Sequence, residues 1–276
     1  MKMKNKLSKR GICLTVAISG MIMLAAYELL SLESFISPYL DEKTLYLVSM
    51  TLTRFIGGAI FLAMLINLGY RVLNPVKKPF FKPLLLCLPA FVVAINNFPF
   101  SQVIKGEAQI DAPAWRIVLL MIECLAVAFF EETAFRGVVF LGLVKRRPQS
   151  KTWMLWTIVI SSVIFGLIHL VNLYYSDPLS VLMQIGYSAL IGAMCSVVLI
   201  KTQNLWICIL LHGVFNFGGA IVQYCGSGEI WDTLTVVLTA VLAVAVAIYL
   251  TVLFIRADIS SFDSVYRVKS AKEDKQ

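Results

Sequence analysis

Apolar residues fall along this chain in repeated runs of around 20, separated by short polar segments. About 20 apolar residues is the length a helix needs to cross the hydrocarbon of a bilayer. The pattern predicts eight such helices, at about Ile12–Leu30, Leu45–Leu68, Leu84–Phe100, Trp115–Val144, Thr152–Val171, Leu179–Ile200, Leu205–Tyr224 and Trp231–Ile255. Pro75, Pro79 and Pro83 keep the second loop from continuing either neighbouring helix, and Asn96-Asn97 with Pro99 breaks the third helix near its end. The expected fold class is all-α: a polytopic membrane helical bundle, one transmembrane domain over residues 1–276 with a polar tail at 256–276. The first apolar run follows a basic start but is longer than a signal-peptide core, so it reads as a retained helix. No internal repeat supports an inverted-repeat transporter architecture.

Charge sharpens this picture. Charged residues make up 14% of the chain and hydrophobic ones 59%, against about 25% charged in soluble domains. The net charge of +8 would suit nucleic acid if it were clustered on one face, but it is spread over alternate loops. Nineteen of the 24 Lys and Arg fall in predicted internal segments, and only Lys43, Lys105 and Arg116 in external ones. By the positive-inside rule both termini are cytoplasmic, and the basic segments face the anionic inner surface of a cell membrane, expected to be a bacterial plasma membrane. The six cysteines form no C-x-x-C pair and read as buried apolar packing, without a disulfide framework or zinc site.

The fourth helix departs from the apolar pattern. Glu131, Glu132 and Arg136 place three charges within six residues of a span, each costing about 3 kcal/mol or more at the hydrocarbon centre. Such groups pair with one another or face a polar cavity, and by default they mark a functional site. Glu132 and Arg136, at i and i+4, share a helix face and suit an ion pair. Glu131 points about 100° away and is freer to face a cavity. The chain has only two histidines, His169 on the fifth helix and His212 on the seventh, and Asn216 shares a face with His212. Gly166, Gly213, Gly218 and Gly219 allow close helix approach nearby.

These groups suit water-driven peptide hydrolysis. Glu131 would deprotonate a water, His169 would position it, and His212 with Asn216 would donate to the oxyanion. Glu131 and the histidines could instead hold zinc with one position open. Against that, the H-E-x-x-H local chelate is missing, and a reaction without metal or cofactor is favoured. One difficulty is depth: His169 lies about seven residues beyond the centre of its helix, roughly 10 Å outward at 1.5 Å per residue. Glu123, about two turns before Glu131, could line the same cavity, but the outer interface is the preferred reading; Arg54 reads as a buried charge partner or a snorkelling side chain, and Asn172 as a loop cap.

E-E-x-x-x-R (Glu131, Glu132, Arg136), F-x-x-x-H (Phe165, His169) and H-x-x-x-N (His212, Asn216), in this order on three helices, resemble the CPBP family of intramembrane endopeptidases. That family includes the type II CAAX prenyl proteases and the bacterial Abi and bacteriocin-immunity proteins. The resemblance covers about 115–224, which would hold the catalytic helices. It implies that Glu131 activates water with His169, that His212 and Asn216 form the oxyanion site, and that Glu132 and Arg136 complete the first motif. The expected partner is a membrane-associated peptide or protein substrate, with the bilayer around it and no nucleic acid. A non-catalytic immunity or scaffold protein is the alternative from a different class, followed by a proton-coupled transporter.

Overall fold

A computed structural model describes residues 40–71, 81–145, 150–259 and 262. The first predicted helix, part of the basic loop after the second, and nearly all of the tail lie outside these residues. The described chain is a helical bundle: α1 (Glu42–Asn67), α2 (Phe81–Asn96), the short α3 (Phe100–Lys105), α4 (Ala114–Glu132), a π-helical stretch (Thr133–Phe140) leading into α5 (Leu141–Val144), α6 (Lys151–Leu167) with a 3-10 extension (Ile168–Tyr174), α7 (Pro178–Thr202), α8 (Leu205–Cys225) and α9 (Thr233–Ile255).

Local chemistry sets most of the boundaries. Asp41, Ser150, Asp177, Asn204 and Asp232 each cap a helix by accepting a backbone N–H in the first turn, at α1, α6, α7, α8 and α9. The α7–α8 turn passes through Gln203, which adopts a left-handed φ of 53° and allows the abrupt reversal. The third predicted span breaks at Asn96-Asn97 as expected, with a shifted start. Its helix begins at Phe81 and ends at Asn96, and Phe100–Lys105 forms a separate helix rather than a continuation.

Among the described residues, five helices are long and apolar enough to cross a membrane: α1, α6 with its extension, α7, α8 and α9. Phe55, Ile66, Val92, Leu182, Val241, Val244 and Ile248 are all at least half exposed on the outside of the bundle. Apolar surface that continuous is supported by lipid, not water. The chain is a multi-pass membrane protein.

Helices α4 and α8 form the central pair, with α1 against α4 and α6 against α7. One departure from an all-helical chain is a short antiparallel pairing of β1 (Ala108–Ile110) with β2 (Gly226–Gly228), which ties the start of α4 to the end of α8. A large apolar cluster including Phe140, Leu141, Leu205 and Cys208 fills the other end of that pair, and a smaller one with Leu120, Cys124, Ile221 and Val222 lies near the β pairing. Glu131, Glu132 and His212 fall between the two clusters by position along the helices.

Candidate active site

The first motif sits where α4 changes form. Thr133 turns its hydroxyl back to the carbonyls of Phe129 (2.7 Å) and Phe130 (3.0 Å), competing for the acceptors of the regular helical ladder. From Thr133 the backbone widens into the π form, a feature that recurs at functional sites. Arg136 lies within this stretch, 1% exposed, with Nη1 3.0 Å from Oε1 of the fully buried Glu132. Its guanidinium also stacks over the ring of Phe165, 4.4 Å from the centroid. A Cβ on Gly192 of α7 would come within 2.9 Å of Arg136 Nη2, so the cation occupies space that only glycine leaves open.

His212 joins this pair. Its Nδ1 is 2.8 Å from Glu132 Oε1, and a carboxylate bound to a guanidinium accepts, so Nδ1 carries the proton and donates it. The other ring nitrogen, Nε2, then points toward Glu131, 3.5 Å from Oε2. His169 is fixed by the same logic: Nδ1 lies 3.0 Å from the carbonyl of Phe165, which can only accept, leaving Nε2 as the nitrogen free for chemistry. The Phe165 ring packs edge-on against both imidazoles, with centroids at 5.4 and 5.8 Å. The two carboxylates differ in exposure: the Glu132 side chain is wholly buried, whereas that of Glu131 is 20% exposed.

Glu131, His169, His212 and Asn216 line one cavity of about 360 Å³, joined by Asn97, Gln184, Tyr187 and Ser188. The depth difficulty resolves through the shape of the cavity. Its walls run from His212 along α8 to Tyr224, and on to Tyr46 and Trp231, toward the end of the bundle that His169 approaches. Of the two places open to Glu123, the structure takes the cavity and not the preferred outer interface. Glu123 is 8% exposed. Asn172 reaches beyond its own loop to donate to Gln184 Oε1 at 2.8 Å. Gly218 and Gly219 let α8 approach the end of α2, since a Cβ there would meet Phe98 N at 2.7 Å and Asn97 Nδ2 at 2.8 Å.

The bond between Glu132 and His212 is the main feature the sequence did not reveal, because nothing in local spacing links residues 80 positions apart. Metal binding was the open alternative. Among the described residues no three His, Cys, Asp or Glu side chains converge as a ligand set. Glu132 Oε1 and His212 Nδ1 are turned toward each other instead.

Residues 113–218 match the model of a family described as type II CAAX prenyl endopeptidase Rce1-like. No curated protein and no solved structure matches the chain. The matched segment contains all three motifs, with Glu131, His169, His212 and Asn216 among its residues. Over residues 113–218 the chain is similar to the type II CAAX prenyl endopeptidases, which supports the resemblance to the CPBP family.

Proposed function

We propose that this protein is an intramembrane endopeptidase that hydrolyses a peptide bond in a membrane-associated peptide or protein through glutamate-activated water, without a metal or other cofactor. One observation carries the reading: Glu131, His169, His212 and Asn216, from three separate segments of chain, line the same cavity. Glu131 takes a proton from water while the lone pair of His169 Nε2 accepts the second O–H and aims the oxygen. The new C–O bond makes a tetrahedral oxyanion. Asn216 donates its amide N–H to that oxygen, and His212 donates from Nε2 when that nitrogen is protonated. Collapse breaks the C–N bond, and Glu131 returns its proton to the leaving amine.

Around this site we place eight spans with both termini in the cytoplasm of a bacterial cell, on the strength of the nineteen-to-three distribution of Lys and Arg. The test is reconstitution into vesicles with membrane-anchored reporter peptides. Wild type is expected to cleave, and to keep doing so after exhaustive chelation. Glu131→Ala is expected to lose about 10²–10⁴-fold in rate, the usual contribution of a general base. Equal cleavage by both proteins would remove Glu131 from the mechanism, and loss of wild-type activity on chelation that added zinc restores would remove the metal-free step.

A further inference from the structure

The catalytic scheme leaves Glu123 unused. It is buried on α4, eight residues before Glu131, and lines the same cavity. We propose that Glu123 determines specificity, seating a cationic nitrogen of the substrate peptide three to four residues from the bond cut at Glu131. The inference rests on the endopeptidase reading above and gives that site a substrate class.

The first argument is electrostatic. Among the described residues, the carboxyl groups in the cavity lining are those of Glu123 and Glu131, and no Lys or Arg is among the lining residues. Two groups act on Glu123 from outside the cavity wall or beside it: Arg54 on α1 and the neighbouring Cys124 thiol. The Arg54 guanidinium lies over the Phe130 ring, 5.2 Å from its centroid. Among the described residues Glu123 makes no ion pair. A carboxylate removed from water is costly unless a charge or several hydrogen bonds compensate, and a cation entering the cavity supplies that compensation.

The second argument is the wall around it. Tyr46 and Tyr224 stack with centroids 5.3 Å apart and planes 9° from parallel, and they line the cavity together with Trp231. Aromatic faces next to a carboxylate suit Lys, Arg or an α-ammonium, whose charge is attracted to the ring quadrupole. The third argument is length. Eight residues of helix separate the two carboxylates by about 12 Å along the axis. An extended peptide covers that in three to four residues, at about 3.3–3.6 Å each. The cation can therefore be a Lys or Arg side chain or the peptide's own N-terminal ammonium.

The experiment uses the full chain in vesicles and reporter peptides in which one Lys is moved through the positions flanking the cleavage site, each made with a free and an acetylated N-terminus. Wild type, Glu123→Gln, Glu123→Lys and Glu131→Ala are compared by kcat/KM. Lys three or four residues from the cut is expected to raise wild-type kcat/KM by about tenfold or more. Glu123→Gln should flatten that preference, bringing the Lys-bearing and Lys-free peptides to the same kcat/KM. Glu123→Lys should favour a peptide with Glu at that position. A preference that survives acetylation identifies the side chain as the cation, and one abolished by it identifies the α-ammonium. A Lys preference unchanged in Glu123→Gln overturns this inference alone, provided Glu131→Ala is inactive. Cleavage that persists in Glu131→Ala, or is absent in wild type, overturns the reading beneath it.

Discussion

Arg136 holds a full charge at 1% exposure, and its two partners divide the task of keeping it there. Glu132 supplies the opposite charge at 3.0 Å, and Phe165 covers the guanidinium with its ring. The same Glu132 oxygen orients His212, so the clamp and the site share one atom. This makes two roles separable. Glu132→Leu should strand the buried cation and cost about 3–5 kcal/mol, the usual penalty for half of a buried pair. The double variant Glu132→Leu/Arg136→Met removes both charges and should recover most of that loss in a denaturant titration in detergent. Activity should not return with it, because His212 has lost its acceptor. Recovery of cleavage in the double variant would reduce Glu132 to a packing residue. The pairing of Glu132 with Arg136 was legible as an i, i+4 spacing within one helix. The bond to His212 was not, since it depends on how α4 and α8 cross.

Among the elements, those bounded by local chemistry were readable. Asp177-Pro178 and Asp232 mark the helix starts that the structure shows. The π stretch was hidden because Thr133–Phe140 contains no proline to mark a break; at its onset the Thr133 hydroxyl turns back to the carbonyls of Phe129 and Phe130. Asn97 read only as part of a helix break, whereas it donates to the Phe215 carbonyl at 2.7 Å across the cavity wall. Helix α3 begins where the predicted third span ends, and it docks on the start of α9. Ser101 and Lys105 both reach Asp232, and Gln102 donates to Thr235 at 2.9 Å. The hydrogen bond from Lys105, with those from Thr235, holds the Asp232 carboxyl well below the usual carboxylate range. A depressed pKa contributes stability above the unfolded value and loses it as pH falls through the folded one. The difference in thermal midpoint between wild type and Asp232→Asn should therefore be constant from pH 8 to about 5 and shrink as pH drops below about 4. A difference that grows on acidification would contradict the assignment.

At the scale of the whole molecule, bundle and charge asymmetry together orient the cavity. Its walls climb from Glu131 and His212 toward Tyr46, Tyr224 and Trp231, at the end of the bundle where the β pairing lies. The basic residues Lys145 and Lys151 lie at the opposite end, after α5 and at the start of α6. On the proposed topology, with basic loops inside, the cavity would face the outer surface, and a substrate would enter from there. Single cysteines on a background with the six native ones replaced give a direct reading. Trp231→Cys should react with a membrane-impermeant thiol reagent in intact cells. Lys145→Cys should react only after the membrane is opened. Gln223→Cys, which lines the cavity between them, should react from outside more slowly than Trp231→Cys and be protected by a peptide that the protein cleaves. Labelling of Lys145→Cys in intact cells, with Trp231→Cys silent, would turn the protein over in the membrane. The cavity and its residues would stay as they are, and the substrate would then have to come from the cytoplasm.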